Sequence, residues 1–307
     1  MKLISFVIPV YRNQGSLRPT YLQLIQLFQD RFKYFDYEII FVDDGSDDNS
    51  YSELIELHGC DKKVKVISFS RNFGQLAALA AGLRHTKGNC AIIMSADLQD
   101  PICLVEDMLE EWLRENEIVI GYRLGREDGL FDKISSNIFY SLMKFLYPQM
   151  PRGGFDFVLL DKICIDEFNK IEDKNRFFQG DILSLGFEVK FIPYKRLKRT
   201  FGKSQWTMAK KSKYFIDSLI TSSYLPIRLM SVTGFITTFI GFFYGLLIVH
   251  ARIIHSTPFT GWAPIMILIL IIGGLTISML GIIGEYVWRI YDEVRKRQYY
   301  IIKSKMF

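Results

Sequence analysis

Two stretches near the C-terminus, Leu229–Val249 and Pro264–Gly284, each run for 21 residues without an Asp, Glu, Lys, Arg or His. At ~1.5 Å of rise per residue, a helix of that length reaches roughly 30 Å, the hydrocarbon thickness of a bilayer. The alternative is a helical hairpin buried in a soluble core. The basic residues crowding both flanks count against it. Lys195, Arg196, Lys198, Arg199, Lys203, Lys210, Lys211, Lys213 and Arg228 precede the first stretch, and Arg289, Arg295, Lys296, Arg297, Lys303 and Lys305 follow the second. The connection from His250 to Ala263 carries only Arg252. By the positive-inside rule, the main domain and both termini face the cytoplasm, in a multi-pass protein of the cytoplasmic (inner) membrane. The stretch Gln205–Tyr224 mixes Trp206, Phe215, Ile216 and Leu219 with Lys210, Lys211 and Lys213. It suits a helix lying on the membrane surface, an ordinary amphipathic core helix being the alternative. Gly241 and Gly245 in the first stretch, and Gly273, Gly274, Gly281 and Gly284 in the second, permit close helix packing and a homo-oligomer.

The remaining composition excludes several functions. A formal charge of +5, with no long basic tract before residue 195, argues against nucleic-acid binding. The four cysteines form no CxxC pair and the four histidines no HExxH, so reduced structural thiols are expected and a zinc site is not. The apolar run Leu3–Val10 is short, contains Ser5 and Pro9 and lacks a small-residue cleavage site. It reads as a buried strand rather than a signal peptide.

Short apolar runs at Leu3–Val10, Tyr37–Val42, Val64–Phe69 and Cys90–Ser95 predict strands. Helical patterns over Ser16–Phe32, Asn49–Leu57, Gln75–His85 and Cys103–Arg114 lie between and after them, leading to a strand at Glu117–Gly121. This alternation predicts an α/β domain with a mainly parallel, Rossmann-like sheet. Beyond Gly121 the pattern predicts a helix over Asp128–Leu146, strands at Phe155–Leu160 and Phe187–Pro193, and a mobile basic loop at Lys195–Ser204. Ligands of such sheets bind beyond the carboxyl ends of the strands. Polar clusters fall there: Tyr11-Arg12-Asn13, Asp43-Asp44-Gly45-Ser46, Ser70-Arg71-Asn72 and Asp97-Leu98-Gln99-Asp100.

Neither a Walker A loop nor a GxGxxG is present. Acidic residues at strand ends suit a hard divalent cation that bridges diphosphate oxygens, a task for which one or two carboxylates suffice. For Asp97-Leu98-Gln99-Asp100-Pro101 the plainer reading is a helix cap, with Asp100 as the N-cap. For Asp43-Asp44-Gly45-Ser46 it is a turn before a helix, against a carboxylate that accepts hydrogen bonds from a nucleobase or ribose. Two acidic strand ends in one sheet, with Pro9 and Tyr11 at a third, strengthen the functional reading of both.

The segments Ser5–Tyr11 (SFVIPVY), Phe41–Ser46 (FVDDGS), Asn72–Gly74 (NFG), Ser95–Pro101 (SADLQDP) and Gly121–Arg123 (GYR) resemble the family 2 glycosyltransferases of GT-A fold. Gly281–Arg297 (GIIGEYVWRIYDEVRKR) is similar to the tail of the membrane-anchored polyprenyl-phosphate glycosyltransferases, among them bactoprenol glucosyltransferases and dolichol-phosphate mannose synthases. The resemblance implies that Pro9, Tyr11, Asp43 and Asp44 hold the nucleoside, and that Asp97 and Gln99 hold Mg²⁺ or Mn²⁺ with the diphosphate. It implies that Arg123 and Lys133 meet the acceptor phosphate, that Asp156 is the catalytic aspartate together with Asp97, and that Arg199, Lys203 and Ser204 close over the donor. Ser95 stands where the family usually has an acid, Asn13 where glutamate is frequent, and Val158 where arginine is common.

The implied reaction is a metal-assisted, inverting displacement at the anomeric carbon of a nucleotide sugar by a polyprenyl (undecaprenyl) phosphate. A UDP-hexose is favoured as donor and GDP-mannose is admitted. A phosphate monoester with a second pKa of about 6 is already largely dianionic at neutral pH, so it needs little general-base help. Asp156 then orients the acceptor or the sugar hydroxyls, or stabilises charge at the anomeric carbon. The rivals are transfer to a glycolipid or polysaccharide and a non-catalytic membrane component. Gln179-Gly180-Asp181 does not supply the Q/RxxRW motif of polysaccharide synthases. The expected organisation is a GT-A domain over 1–205, an interfacial helix over 206–225, a two-helix anchor over 226–290 (spans about 227–250 and 263–287) and a basic cytoplasmic tail over 291–307.

Overall fold

The structure, a computed structural model, describes residues 1–124, 140–195 except 142, 152 and 172–175, and 217–307 except 219, 221, 222, 224, 256–261 and 296. The chain divides into two units, Met1–Lys213 with Gln298–Phe307, and Tyr214–Arg297. In the first, β1 (Lys2–Val10), α1 (Leu17–Asp30), β2 (Phe35–Asp43), α2 (Ser50–Cys60), β3 (Val64–Phe69), α3 (Gln75–Arg84), β4 (Cys90–Ile93) and α4 (Cys103–Leu113) alternate as the apolar pattern predicts. There follow β5 (Ile118–Arg123), β6 (Phe157–Asp161), α5 (Lys162–Lys170), α6 (Phe178–Ser184) and β7 (Val189–Tyr194). The helix expected over Asp128–Leu146 lies largely outside the described residues, although 140, 141 and 143–146 are helical.

The central strands are buried on both faces, which is why they read as unbroken apolar runs instead of alternating ones. Ile39 and Phe41 of β2 join a cluster with Phe6, Leu24, Leu54 and Met108, formed against α1, α2 and α4. The intervening Ile40 and Val42 join Ala77, Ala78 and Ala81 of α3 on the other face. At the end of β2 the chain turns through Gly45, whose φ is +67° and where a Cβ would collide with the backbone of Arg71. Only glycine lets those two loops approach so closely.

The strand order is β7-β5-β6-β4-β1-β2-β3, extended at the β3 edge by β8 (Ile302–Met306). From β1 the chain proceeds outward through the parallel pairs β1/β2 and β2/β3, then returns to place β4 parallel on the other side of β1. The switch point between β1 and β4 is where such sheets open a crevice at their carboxyl ends. β6 runs antiparallel to both neighbours, β4 and β5, while β7 is parallel to β5. The last residues, expected as a basic tail, form an antiparallel edge strand on β3, with Val66 opposite Met306 and Ser68 opposite Ser304.

The second unit contains α7 (Leu225–His255) and α8 (Trp262–Val294). Within them Pro226–Leu247 and Ile271–Val294 are long and apolar enough to cross a membrane. Their large apolar side chains, Phe235, Phe239, Ile240, Ile277 and Leu280 among them, are exposed. An i,i+4 pair forms, with Glu285 3.3 Å from Arg289, which also reaches Asp217 at 2.8 Å. The glycines at 241, 245, 273, 274, 281 and 284 do not serve close packing among the described residues, since a Cβ on any of them would meet nothing within 4 Å.

The sheet contains one buried charge remote from its carboxyl rim. Glu38 on β2 is 3% exposed and accepts from the Ser5 hydroxyl at 2.5 Å, from the Lys87 amide at 2.6 Å and from the Lys65 ammonium. Removing one partner of a buried ion pair strands the other. Glu38→Ala is therefore expected to cost about 3 kcal/mol, read as a lowered melting midpoint in detergent.

Candidate active site

The rim above the β1/β4 switch point collects polar residues from six strands, β1, β2, β4, β5, β6 and β7. β1 ends at Val10 and delivers Tyr11, whose amide donates to Asn13 Oδ1 at 2.9 Å, while the Asn13 amide donates to Ser50 Oγ at 2.9 Å. Asn13 thus shapes the turn that carries Tyr11. Arg12 within that turn has φ +55° and forms a two-armed ion pair with Asp47, both contacts 2.6 Å. Pro9, the penultimate residue of β1, is half-buried.

Beyond β4 the backbone enters Ser95-Ala96-Asp97-Leu98-Gln99-Asp100. Leu98 adopts φ +57°, a left-handed conformation that costs a branched side chain on the order of 1–3 kcal/mol. The turn is held by its own polar groups. Ser95 Oγ lies 2.6 Å from Asp97 Oδ1 and 2.7 Å from Asp100 Oδ2, and the Gln99 amide donates to Asp97 Oδ1 at 3.3 Å. Asp97 and Asp100 are both buried. Asp100 is not the helix cap that its sequence position suggests. α4 begins at Cys103 without a side-chain cap, and the Asp100 carboxylate bonds Ser95 and, through Oδ1, the Tyr194 hydroxyl at 2.8 Å.

Asp156 reaches the same rim because β6 is reversed. The pairings Ile93 with Val158 and Gly121 with Phe157 put the entrance of β6 beside the exits of β4 and β5. Arg123 ends β5 opposite Tyr194 at the end of β7. Arg123 Nη2 donates to Asp156 Oδ2 at 2.7 Å, and its Nε lies 3.4 Å from the Tyr194 hydroxyl. Burial works against the guanidinium charge, but Asp156, Tyr194 and Asp100 outweigh it and hold Arg123 above its ordinary pKa. Burial, followed by the nearby Asp100, raises the Tyr194 hydroxyl, so it stays a donor. One chain of contacts therefore links Asp97 through Ser95, Asp100, Tyr194 and Arg123 to Asp156. Val158 is wholly buried in β6.

At the β2 end, Asp43 and Asp44 are buried and engaged within the chain. Asp43 accepts from the Ser46 amide at 3.1 Å and the Ser68 hydroxyl at 2.9 Å. Asp44 accepts from the amides of Phe73 at 2.6 Å and Gly74 at 2.9 Å, which ties the Asn72-Phe73-Gly74 loop to β2. Burial pushes the Asp44 carboxyl up to about 6, against the pull of those two amides.

Lys133, Arg199, Lys203 and Ser204 lie outside the described residues. Among the described residues Asp97, Gln99, Arg123 and Asp156 come together on one side of the rim, and Pro9, Tyr11, Asp43 and Asp44 share the strand ends beside it. Tyr194 is the member of this hydrogen-bonded group that sequence reasoning missed. A single tyrosine closing a strand has no local signature, and only the β5/β7 register brings it to Asp100 and Arg123. No cluster of three His, Cys, Asp or Glu side chains is found among the described residues. Asp97 with Gln99 offers hard oxygen donors of the kind that hold Mg²⁺ or Mn²⁺ when substrate phosphates complete the coordination, so the donor set fits such an ion.

Because folded Asp44 binds its proton more tightly than an unfolded aspartate of pKa near 4, ionising it opposes folding. That opposition grows as pH rises from about 4 to about 6 and is constant above. The melting-point deficit of Asp44→Asn, which has no such proton, should therefore shrink over that interval. A deficit that widens from pH 4 to pH 6 would contradict the assignment.

Residues 5–166 match the model of glycosyl transferase family 2. A glycosyltransferase of Bacillus subtilis, YkcC, is 34% identical over 302 residues, covering 98% of this chain and 93% of its own. The bactoprenol glucosyl transferase of Shigella phage SfII is 31% identical over 303 residues, covering 98% and 97%. Among solved structures, glucosyl-3-phosphoglycerate synthase from Mycobacterium tuberculosis, in complex with Mn²⁺, uridine diphosphate and phosphoglyceric acid, superposes with a TM-score of 0.50 over 70% of this chain and 75% of its own, at 16% identity. The shared fold is the GT-A sheet. A family model spanning most of the first unit and relatives matching from end to end make this chain a glycosyltransferase of family 2.

Proposed function

We propose that this glycosyltransferase moves a hexose from a nucleotide sugar to a polyprenyl phosphate at the cytoplasmic face of the membrane, with inversion at the anomeric carbon. The observation that carries the reading is the meeting of Asp156 with Arg123, joined by a chain of contacts to Asp97. The bactoprenol relatives support the acceptor, and the solved synthase with Mn²⁺ and uridine diphosphate supports a nucleotide donor and a divalent ion. A UDP-hexose is the favoured donor; GDP-mannose is the second choice.

In this reading Pro9, Tyr11 and the rim built by Asp43 and Asp44 receive the nucleoside. Asp97 and Gln99 hold Mg²⁺ or Mn²⁺ against the diphosphate, where the ion would offset charge on the leaving group. Arg199, Lys203 and Ser204 belong to the donor side by family resemblance. Arg123 and Lys133 face the acceptor. An acceptor dianion approaching a bare carboxylate would be repelled, and at an effective dielectric of about 20 the Coulomb cost at 4 Å is about 4 kcal/mol per pair of unit charges. The Arg123 charge, locked against Asp156, removes that cost and leaves a neutral pair for the dianion to approach. Asp156 then orients the acceptor or steadies positive charge at the anomeric carbon, with no proton to remove.

The C-terminal strand supports the proposed topology. The chain leaves the first unit after Lys213 and rejoins it at Gln298. Helices that cross a bilayer in between would then do so an even number of times, in keeping with both termini on one side. The basic flanks make that side the cytoplasm.

The decisive assay supplies purified protein in lipid with undecaprenyl phosphate, Mg²⁺ and a panel of nucleotide sugars, and identifies the lipid product by mass. A hexosyl-phosphate lipid is expected, and chelation should abolish it. Nucleotide binding with no lipid product from any donor would favour a non-catalytic component, and transfer only to oligosaccharide would favour a polymer synthase. Asp156→Asn should lower kcat by about a hundredfold or more while leaving the acid limb of the pH–rate profile in place. Loss of that limb would make Asp156 a general base instead.

A further inference from the structure

The segment after α8 does more than cap an edge. β8 pairs antiparallel with β3, its register slips between Ser68 and Phe69, and the Ser70 amide donates to the Ile301 carbonyl at 3.0 Å. Just before the strand, Tyr300 stacks on Phe69 with ring centroids 5.0 Å apart and planes 13° from parallel. Phe69 in turn meets Phe73 edge-on at 5.7 Å, and the Phe73 amide is held by Asp44. Tyr299, Tyr300 and Ile302 pack on the buried cluster of Ile40, Val42, Ile67 and Phe69 beneath α3. The aromatic contacts therefore run from the post-anchor segment through β3 into the Asn72-Phe73-Gly74 loop and end at the Asp44 carboxylate. Tyr299 stands close enough for the Asp44, Arg176 and Asp181 charges to act on its hydroxyl, which burial pushes up to about 12.

We propose that Tyr300, brought to the β3 edge by the pairing of β8, is a positioning element for the nucleotide end of the site. It fixes the 72–74 loop and Asp44 through Phe69 and Phe73. The inference rests on the reading above that the Asp43–Asp44 rim receives a nucleotide donor. Its physical basis is the placement of the loop. The Phe73 and Gly74 amides donate to the Asp44 carboxylate, the Phe73 ring packs on Phe69, and the Phe69 ring is stacked in turn on Tyr300. One aromatic stack is a small part of what holds the sheet together, so losing it loosens the loop without dismantling the sheet. Tyr300 touches no substrate in this account; it acts through the loop alone.

The test compares wild type, Tyr300→Ala, Tyr300→Phe and Ser304→Ala, all full-length in detergent. Ser304 lies on β8 and bonds the Tyr51 hydroxyl at 2.7 Å, away from the aromatic chain. Calorimetry with UDP-glucose and with GDP-mannose, each with Mg²⁺, gives the donor Kd. Steady-state assays give kcat and both KM values, and melting midpoints report folding. Tyr300→Ala should raise the donor Kd and KM about fivefold or more while kcat and acceptor KM stay within about twofold, the size expected of one lost aromatic stack. Tyr300→Phe keeps the ring and should match wild type, as should Ser304→Ala. Unchanged donor affinity in a folded Tyr300→Ala protein overturns the proposal alone. So does a loss shared equally by Tyr300→Phe, or one confined to kcat. If Tyr300→Ala does not fold, the Tyr300→Leu variant takes its place with the same expected split. Wild-type protein that binds neither nucleotide sugar overturns the donor reading itself and this inference with it.

Discussion

Asp156 can stand beside Arg123 only because β6 runs against its two neighbours. In a wholly parallel sheet the residue that opens a strand lies at the edge opposite the ligand crevice. Reversing one strand between β4 and β5 carries its first residues to the rim where their exits lie, and the pairings of Ile93 with Val158 and Gly121 with Phe157 set how far. β7, parallel to β5, then supplies Tyr194 opposite Arg123. Three residues separated by 33 and 38 positions in the chain become one hydrogen-bonded group through register alone.

That group has the properties of a preorganised electrostatic site. Each acid of the group has a donor: the buried Asp97 takes the Ser95 hydroxyl, the buried Asp100 takes the Tyr194 hydroxyl, and the half-exposed Asp156 takes a guanidinium N–H. In a low-dielectric rim a half-satisfied network would be costly, whereas a fully connected one is rigid. The serine that replaces an expected acid is central to this. A hydroxyl within hydrogen-bond reach of both carboxylates can donate to either, where a third carboxylate could only repel them, so the turn forms with one fewer negative charge to neutralise. Leu98 pays for the bend with a left-handed backbone, a local strain of the sort that persists where the surrounding contacts over-determine it.

The apolar helices enter this architecture through the chain ends that frame them. The first unit includes residues on both sides of the helical pair, and the returning segment pairs with β3, which would otherwise be an open edge. The signal for that strand was present in the sequence as the alternation Ile302-Lys303-Ser304-Lys305-Met306, but its lysines read equally well as a membrane-flanking basic tail. A period-2 pattern of five residues does not say which strand it will join, or whether it will join one at all.

Much of the fold and of the site was legible from local chemistry. Buried strands announce themselves as apolar runs, because both faces must leave water, and β1 to β4 appeared within a residue or two of their bounds. Acidic clusters at strand exits and the two uncharged stretches likewise follow from what the chain carries at one place. Asp100 was misread as a cap because a helix start and a site residue look alike in sequence, and Tyr194 was not visible because nothing near it marks it. Strand direction, register and the destination of the last ten residues depend on contacts between positions far apart in the chain. The sequence by itself determined the elements, the apolar helices and the acidic rim, since these follow from hydrophobic periodicity and residue type. Only the tertiary structure decided which carboxylate meets which cation, because that is fixed by the pairing of strands across the sheet.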